Sequence, residues 1–182
     1  MVVVESTPGR PLRLLLTGPP QCGKTTVVRR VVEAFPCHAA GFYTQEVRER
    51  GRRVGFEIVT LDGRRGWLSH VAFGGPHRVG KYGVDLESLH RLALPAMEVR
   101  PEVDLFVVDE IGKMECLSRR FIQAMERLWE EAPAPLVVTV AQKGGGFIEK
   151  IKTQPDALLL EVTLENREDL PHRLIHLLSQ GF

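Results

Sequence analysis

Leu12-Arg13-Leu14-Leu15-Leu16-Thr17-Gly18-Pro19-Pro20-Gln21-Cys22-Gly23-Lys24-Thr25-Thr26 is the stretch whose reading decides the fold. A short apolar run, Leu12 to Leu16, ends at Thr17-Gly18 as a buried strand would. From Thr25 to Phe35 the residues Val27, Val28, Val31, Val32 and Phe35 recur at helical spacing, with Arg29, Arg30 and Glu33 on the other face, until Pro36 ends the pattern. Between strand and helix, Gly18 to Thr25 satisfies G-x-x-x-x-G-K-[ST] at every fixed position. That spacing has a physical reason. Glycines let successive backbone N–H groups turn inward as an anion nest, and the following helix adds its positive N-terminal end. Lys24 then reaches β- and γ-phosphates, while the Thr25 hydroxyl takes a place on Mg²⁺. Gly18, Pro19, Pro20, Gln21, Cys22, Gly23, Lys24, Thr25 and Thr26 are therefore the expected nucleotide-binding residues. A plain glycine turn with a solvated lysine is the bland alternative, and the flanking strand and helix weigh against it.

A second apolar strand, Leu105 to Val108, delivers Asp109 and Glu110 at its carboxyl end, where open α/β sheets place ligands. Alone, two acids at a strand end read as solvated charges; beside a phosphate loop they read as catalytic machinery. Asp109 suits Mg²⁺, directly or from the outer sphere, and Glu110 suits polarising a water for in-line attack on a γ-phosphate. Glu110 and Lys24 are the catalytic candidates, Thr25 and Asp109 the metal candidates, and both acids are expected to border the nucleotide. Asp109-Glu110-Ile111-Gly112 also fits the D-x-x-G switch pattern of GTP-binding proteins, but no Asn-Lys-x-Asp follows a later strand, so strict guanine selection is not expected.

The remaining chain alternates strands and helices. Ala39 to Val47 and Val54 to Leu61 read as a hairpin joined by the charged turn Arg48 to Arg53. Arg64 to Val84, with five glycines and a proline, reads as a long loop. Asp85 caps a helix carrying Leu86, Leu89, His90 and Ala93, which Pro95 disturbs, and Ser118 caps one striped by Phe121, Ile122, Met125, Leu128 and Trp129. Leu136 to Val140 and Leu158 to Val162 are further strands, with a short helix Phe147 to Lys152 between them and a C-terminal helix after Asn166. The alternation predicts an α/β fold with a mostly parallel sheet. At 182 residues, one domain spanning 1–182 is expected.

Composition bounds the partners. The net charge of +1 provides no field for nucleic acid, so any bound anion must be held locally. Cys22, Cys37 and Cys116 are odd in number and lack zinc spacing, as reduced thiols of a cytoplasm would. No apolar run approaches a membrane span, and the N-terminus carries no secretion signal, so a cytoplasmic protein without membrane contact is expected. Among surface candidates, Lys113 is close enough to the acids to reach a phosphate. One of Arg48, Arg50, Arg52 and Arg53 could act as an arginine finger from a lid, and Asn166-Arg167 could touch the nucleobase. A solvated side chain is the competing reading for each. Cys22 lies inside the loop, where alkylation would be expected to compete with nucleotide.

The longer motifs carry a resemblance. T-G-P-P-x-x-G-K-T-T at Thr17 to Thr26, G-F-Y-T-x-E-V-R at Gly41 to Arg48, G-x-R-x-G-F at Gly51 to Phe56, V-G-x-Y-x-V-D-L at Val79 to Leu86, A-L-P at Ala93 to Pro95 and D-E-I-G-K-M-E at Asp109 to Glu115 resemble a family of small P-loop nucleoside-triphosphatases. The family occurs in thermophiles and in animals, where its members are called cancer-related nucleoside triphosphatases. The resemblance implies a RecA-like three-layer P-loop fold with an added hairpin. It implies slow, Mg²⁺-dependent hydrolysis of ATP, GTP and other nucleoside triphosphates with loose base selectivity, and kinship to nucleotide kinases. Val140 to Gly146, reading V-A-Q-K-G-G-G, departs from the proline-containing loop usual there. A kinase with a small acceptor under the hairpin, and a nucleotide-gated switch protein, remain as alternatives to a hydrolase.

Overall fold

The computed structural model describes residues 10–180. The lead expected over the first ten residues lies, Arg10 apart, outside them. Nine strands form one sheet: β1 (Arg13–Thr17), β2 (Ala39–Glu49), β3 (Arg52–Thr60), β4 (Arg65–His70), β5 (Arg78–Val79), β6 (Tyr82–Val84), β7 (Leu105–Ile111), β8 (Leu136–Val140) and β9 (Ala157–Glu161). The helices are α1 (Lys24–Ala34), α2 (Leu86–Ala96), α3 (Arg119–Glu131), α4 (Phe147–Lys152) and α5 (Leu170–Gln180). Across the sheet the order is β5-β6-β4-β3-β2-β7-β8-β1-β9. The five strands from β2 to β9 pair in parallel, and the far half is an antiparallel meander growing from β2.

Strand alternation separates two apolar layers. Leu15, Phe106, Val108 and Val138 point to one face, where Leu89 of α2 and Phe121 and Met125 of α3 cover them. Leu14, Leu16, Leu105, Val107 and Val137 point to the other, under Val27, Val28 and Val31 of α1 and Leu174 and Leu178 of α5. Parallel strands buried on both faces need such continuous apolar runs. Gly41 lets β2 close on β7, since a Cβ there would stand 1.8 Å from the Val107 carbonyl oxygen.

Three local expectations are corrected. The charged hairpin turn is two residues, Arg50-Gly51, not six, because both take positive φ, 47° and 77°, which the tight hairpin turn requires. The flanking arginines and glutamates extend the strands instead, held by Arg53 Nη1 to Glu46 Oε2 at 2.9 Å and by Arg48 to Glu46. Arg64 to Val84 is not a loop: it supplies β4, β5 and β6. Of its glycines, Gly83 permits a close backbone approach: a Cβ there would meet the Phe73 carbonyl oxygen at 2.3 Å. Pro95 leaves α2 intact to Ala96, since it falls in the last turn, where Met97 N–H closes on Ala93 O at 3.0 Å. The C-terminal helix starts at Leu170, four residues beyond Asn166.

Candidate active site

The phosphate loop connects β1 to α1 with Gly18, Gln21 and Gly23 at φ of 146°, 64° and 110°. Positive φ at these positions turns backbone N–H groups toward one concavity. Gly18 tolerates no side chain: a Cβ would lie 2.5 Å from Val162 O and 2.9 Å from Cys22 Sγ. Pro19, Pro20, Gln21 and Thr26 are exposed on the loop and helix start. Lys24 is buried, and its Nζ donates to Gly18 O at 3.1 Å and Pro19 O at 3.4 Å, folding the ammonium back over the loop. Cys22 is 5% exposed and packs in the apolar layer of α1 and α5, and its N–H donates to Pro19 O at 3.3 Å within the loop.

Parallel register brings the end of β7 to this loop, with β8 between β7 and β1. Asp109 is fully buried. The Thr25 hydroxyl donates to its Oδ2 at 2.7 Å, and the Thr139 hydroxyl of β8 donates to Oδ1. Burial pushes the Asp109 carboxyl up, against the hydrogen bonds from Thr139 and Thr25 and the charge of Lys24, which pull it down. Threonine hydroxyls reach both oxygens, and because Thr25 gives its hydroxyl hydrogen to Asp109 its lone pairs are left as acceptors. Glu110 points the other way, its side chain 32% exposed and its Oε2 3.7 Å from Lys24 Nζ. Burial raises its carboxyl and Lys24 opposes the rise.

A cavity of about 770 Å³ joins these groups. The loop and α1 start form one wall, Glu110, Gly112, Lys113, Met114 and Glu115 a second, Gln142 and Lys143 a third. The meander supplies the last with Thr44, Glu46, Arg53, Phe56, Leu68 and Val79. Of the four hairpin arginines, Arg53 alone lines it. Its Nε donates to Tyr82 Oη at 2.9 Å and its guanidinium lies over Phe56, 5.4 Å from the ring centroid. Hydrogen bonds to Tyr82 and then Glu46 raise its already high pKa. Arg48 stays at the surface, bonded to Glu46 and to Gly51 O at 3.0 Å, and Arg50 and Arg52 are exposed at the tip.

Two residues at the site were not singled out by motif reasoning. Thr139 is a lone hydroxyl in the otherwise apolar Leu136 to Val140, and that contrast was the only signal. Glu115 ends the D-E-I-G-K-M-E stretch; it is 4% exposed and accepts from Gly112 N–H at 3.1 Å. Burial, then the charge of Glu110, pushes its carboxyl up to about 8. A Cβ on Gly112 would lie 2.9 Å from Glu115 Oε2 and 3.0 Å from Glu110 Oε1, so glycine is what lets the two carboxyls approach.

A three-layer α/β sheet with a phosphate loop after β1 and acids at the end of β7 defines a P-loop NTPase fold. The NTPase family matches residues 13–175, and the chain belongs to it, and with it to the nucleoside-triphosphate hydrolases. The chain is 39% identical over 169 residues, 92% of its own length and 96% of the relative's, to the nucleoside-triphosphatase THEP1 of Thermotoga sp. strain RQ2. It is 40% identical over 173 residues, 86% of this chain and 91% of the relative, to the cancer-related nucleoside-triphosphatase of Homo sapiens. The crystal structure of THEP1 from Aquifex aeolicus superposes with a TM-score of 0.85 at 31% identity, covering 92% of this chain and 99% of that one.

Proposed function

We propose that the chain, acting as a single domain, hydrolyses ATP, GTP and other nucleoside triphosphates to the diphosphate and phosphate, slowly, with Mg²⁺ and with loose base selectivity. The observation that carries this reading is Glu110 Oε2 standing 3.7 Å from Lys24 Nζ in the cavity above the phosphate loop. Phosphate oxygens replace the Gly18 and Pro19 carbonyls as partners of Lys24. Loop N–H groups hold the remaining charge. Glu110 orients a water and takes its proton as the water oxygen bonds to the γ-phosphorus and the bond to the β-phosphate oxygen breaks.

The donor set fits Mg²⁺. Thr25 Oγ1, with Asp109 behind it, is a hard oxygen ligand, and Mg²⁺ takes few protein ligands and keeps phosphates and water for the rest. No group of three or more His, Cys, Asp or Glu among the described residues could hold a metal, which suits an ion that arrives with its nucleotide. When bound, Mg²⁺ supplies neutralisation of the phosphate charge. With Arg53 tied to Glu46 and Tyr82 instead of free to move, turnover of about 10⁻² per second is expected.

The three cysteines are free, and no helix among the described residues is long and apolar enough to cross a membrane; we place the protein in a reducing cytoplasm. One observation favours a second reading, transfer to a small acceptor: past Glu110 the cavity continues to an apolar wall of Phe56, Leu68, Val79 and Met114, larger than a water needs. Phosphate release from pure protein with Mg²⁺ and each of the four nucleoside triphosphates tests the hydrolase; absence of release without an added acceptor would replace it with the kinase.

A further inference from the structure

We infer that Arg167 is the nucleobase platform of this site, stacking its guanidinium on the base without reading its edge. The inference rests on the nucleotide reading above and names the part of the site that selects, or fails to select, the base. Sheet order sets the direction of the bound nucleotide. Glu110, on β7, marks the γ-phosphate end, and in the order β7-β8-β1-β9 the strand β9 lies on the opposite side of the phosphate loop. A triphosphate that starts beside Glu110 and crosses the loop therefore leads its nucleoside toward the segment following β9, residues 162–169.

That segment is built to hold one side chain in place. Asn166 is spent on the backbone: its Oδ1 accepts from Thr163 N at 2.9 Å and its Nδ2 donates to Glu161 O at 2.8 Å. The sequence candidate Asn166 thus shapes the turn, with both ends of its amide engaged by the backbone. Glu168 ties the turn to α1 through Arg30 Nη1, 2.6 Å from its Oε2. Between them Arg167 lies across the phosphate loop: a Cβ on Gly23 would stand 3.2 Å from Arg167 Cδ and 4.0 Å from its Nη1. Its side chain remains 41% exposed, and Nε, itself buried, makes no hydrogen bond and forms only an ion pair with Glu168 Oε1 at 3.5 Å. Gln142, which lines the cavity, reaches Glu161 Oε1 at 3.4 Å, so the turn after β9 adjoins the loop after β8.

A planar cation at this place attracts the π-face of any base. Every base has such a face, so stacking is tolerant of sequence, whereas hydrogen bonds to the Watson–Crick edge are not. An exposed stacking arginine beside a turn whose amide is already used gives binding that depends on having a base and little on which one.

Equilibrium binding of the non-hydrolysable Mg²⁺ complexes of the imido analogues of ATP, GTP, CTP and UTP tests this, with inorganic tripolyphosphate as the baseless control. Arg167→Ala is expected to weaken all four nucleotides by about tenfold, the purines most, and to leave tripolyphosphate unchanged. Arg167→Lys keeps the charge and loses the plane, and is expected to fall with Arg167→Ala. In hydrolysis the variants raise KM and spare kcat. If tripolyphosphate weakened equally, or if Arg167→Lys bound like the wild type, Arg167 would be a phosphate counter-charge and the inference would be overturned. Unchanged nucleotide affinity in Arg167→Ala overturns it as well. Failure of the wild type to bind any nucleotide would instead sink the nucleotide reading itself, independently of Arg167.

Discussion

The Thr25 hydroxyl donates to Asp109 Oδ2 at 2.7 Å, joining residues 84 positions apart and fixing the first turn of α1 to the end of β7. With Thr139 on the other oxygen, Asp109 is held on both sides by threonine hydroxyls. Under the nucleotide reading, its task is to orient the Thr25 oxygen toward the metal. Asp109→Asn presents an amide NH₂ in place of one oxygen, so one threonine hydroxyl must turn round. The expected result is loss of the Mg²⁺-dependent part of nucleotide affinity together with a fall in turnover of about 10²-fold. Affinity measured with Mg²⁺ and with chelator checks it; an unaltered Mg²⁺ dependence would remove Asp109 from the metal side of the site.

Glu110 and Lys24 are neighbours, and the roles proposed for them are separable. Glu110→Gln preserves shape and loses the base, so turnover should drop ~10²-fold or more while nucleotide affinity survives. Lys24→Ala should abolish hydrolysis of all four nucleoside triphosphates together, because they share the phosphates. Phosphate release and binding, measured on both variants, separate the two. Near-normal turnover in Glu110→Gln would place the base elsewhere, and Lys24→Ala active on even one nucleotide would undo the phosphate-loop assignment.

Glu115 makes stability depend on pH in a stated direction. Its carboxyl is held up to about 8 in the fold against an ordinary 4.5, because burial and the nearby Glu110 disfavour its charge. Between those values the folded protein keeps a proton that the unfolded chain releases, so stability falls as pH rises through the window. Below it the contribution is fully present; above about 8 it is gone. Glu115→Gln stays neutral and keeps an acceptor for Gly112 N–H. Its stability relative to wild type should therefore grow from pH 5 to pH 8.5, with a limiting slope of about 1.4 kcal/mol per pH unit inside the window. Urea unfolding at several pH values reads this difference, and parallel profiles for the two proteins would show that Glu115 is charged or solvated in the fold.

The phosphate loop, the acids at the end of β7 and the alternation of parallel strands were legible in the sequence because each is set by local chemistry: glycine at positive φ, a lysine at fixed spacing, apolar runs of strand length. The meander was only half legible. Arg64 to Val84 is rich in glycine, which reads as loop when taken alone, yet Gly83 sits in β6, where a Cβ would lie 2.3 Å from Phe73 O. The hairpin tip misled for a related reason, since charged residues that alternate around a two-residue turn resemble a charged loop. Pairing across 30 residues, as between Asp109 and Thr139, leaves no local trace beyond one hydroxyl in an apolar strand. Arg53 could not be told from Arg48, Arg50 and Arg52 until strand register turned it toward Tyr82 and the cavity.

Cys22 supplies a test of how tightly the phosphate loop is closed. Read from sequence, a cysteine inside the loop invites alkylation; in the fold the side chain is 5% exposed, packed with the α1 and α5 layer beneath Gly18. Access of a reagent to so buried a thiol is expected to require movement of the loop that covers it. Cys37 and Cys116 are only half-buried, yet burial raises both thiols, Cys116 to about 12, so neither makes a fast competitor. Labelling of Cys22 should thus report loop opening. Mg²⁺-nucleotide, by adding phosphate contacts to the closed loop, should slow it by about the factor 1 + [L]/Kd. Peptide mapping after timed alkylation, with and without nucleotide, follows the site directly. Labelling at the rate of a free thiol, or a rate indifferent to saturating nucleotide, would mean that the loop does not close over Cys22 and that the burial seen beneath Gly18 is not what governs access.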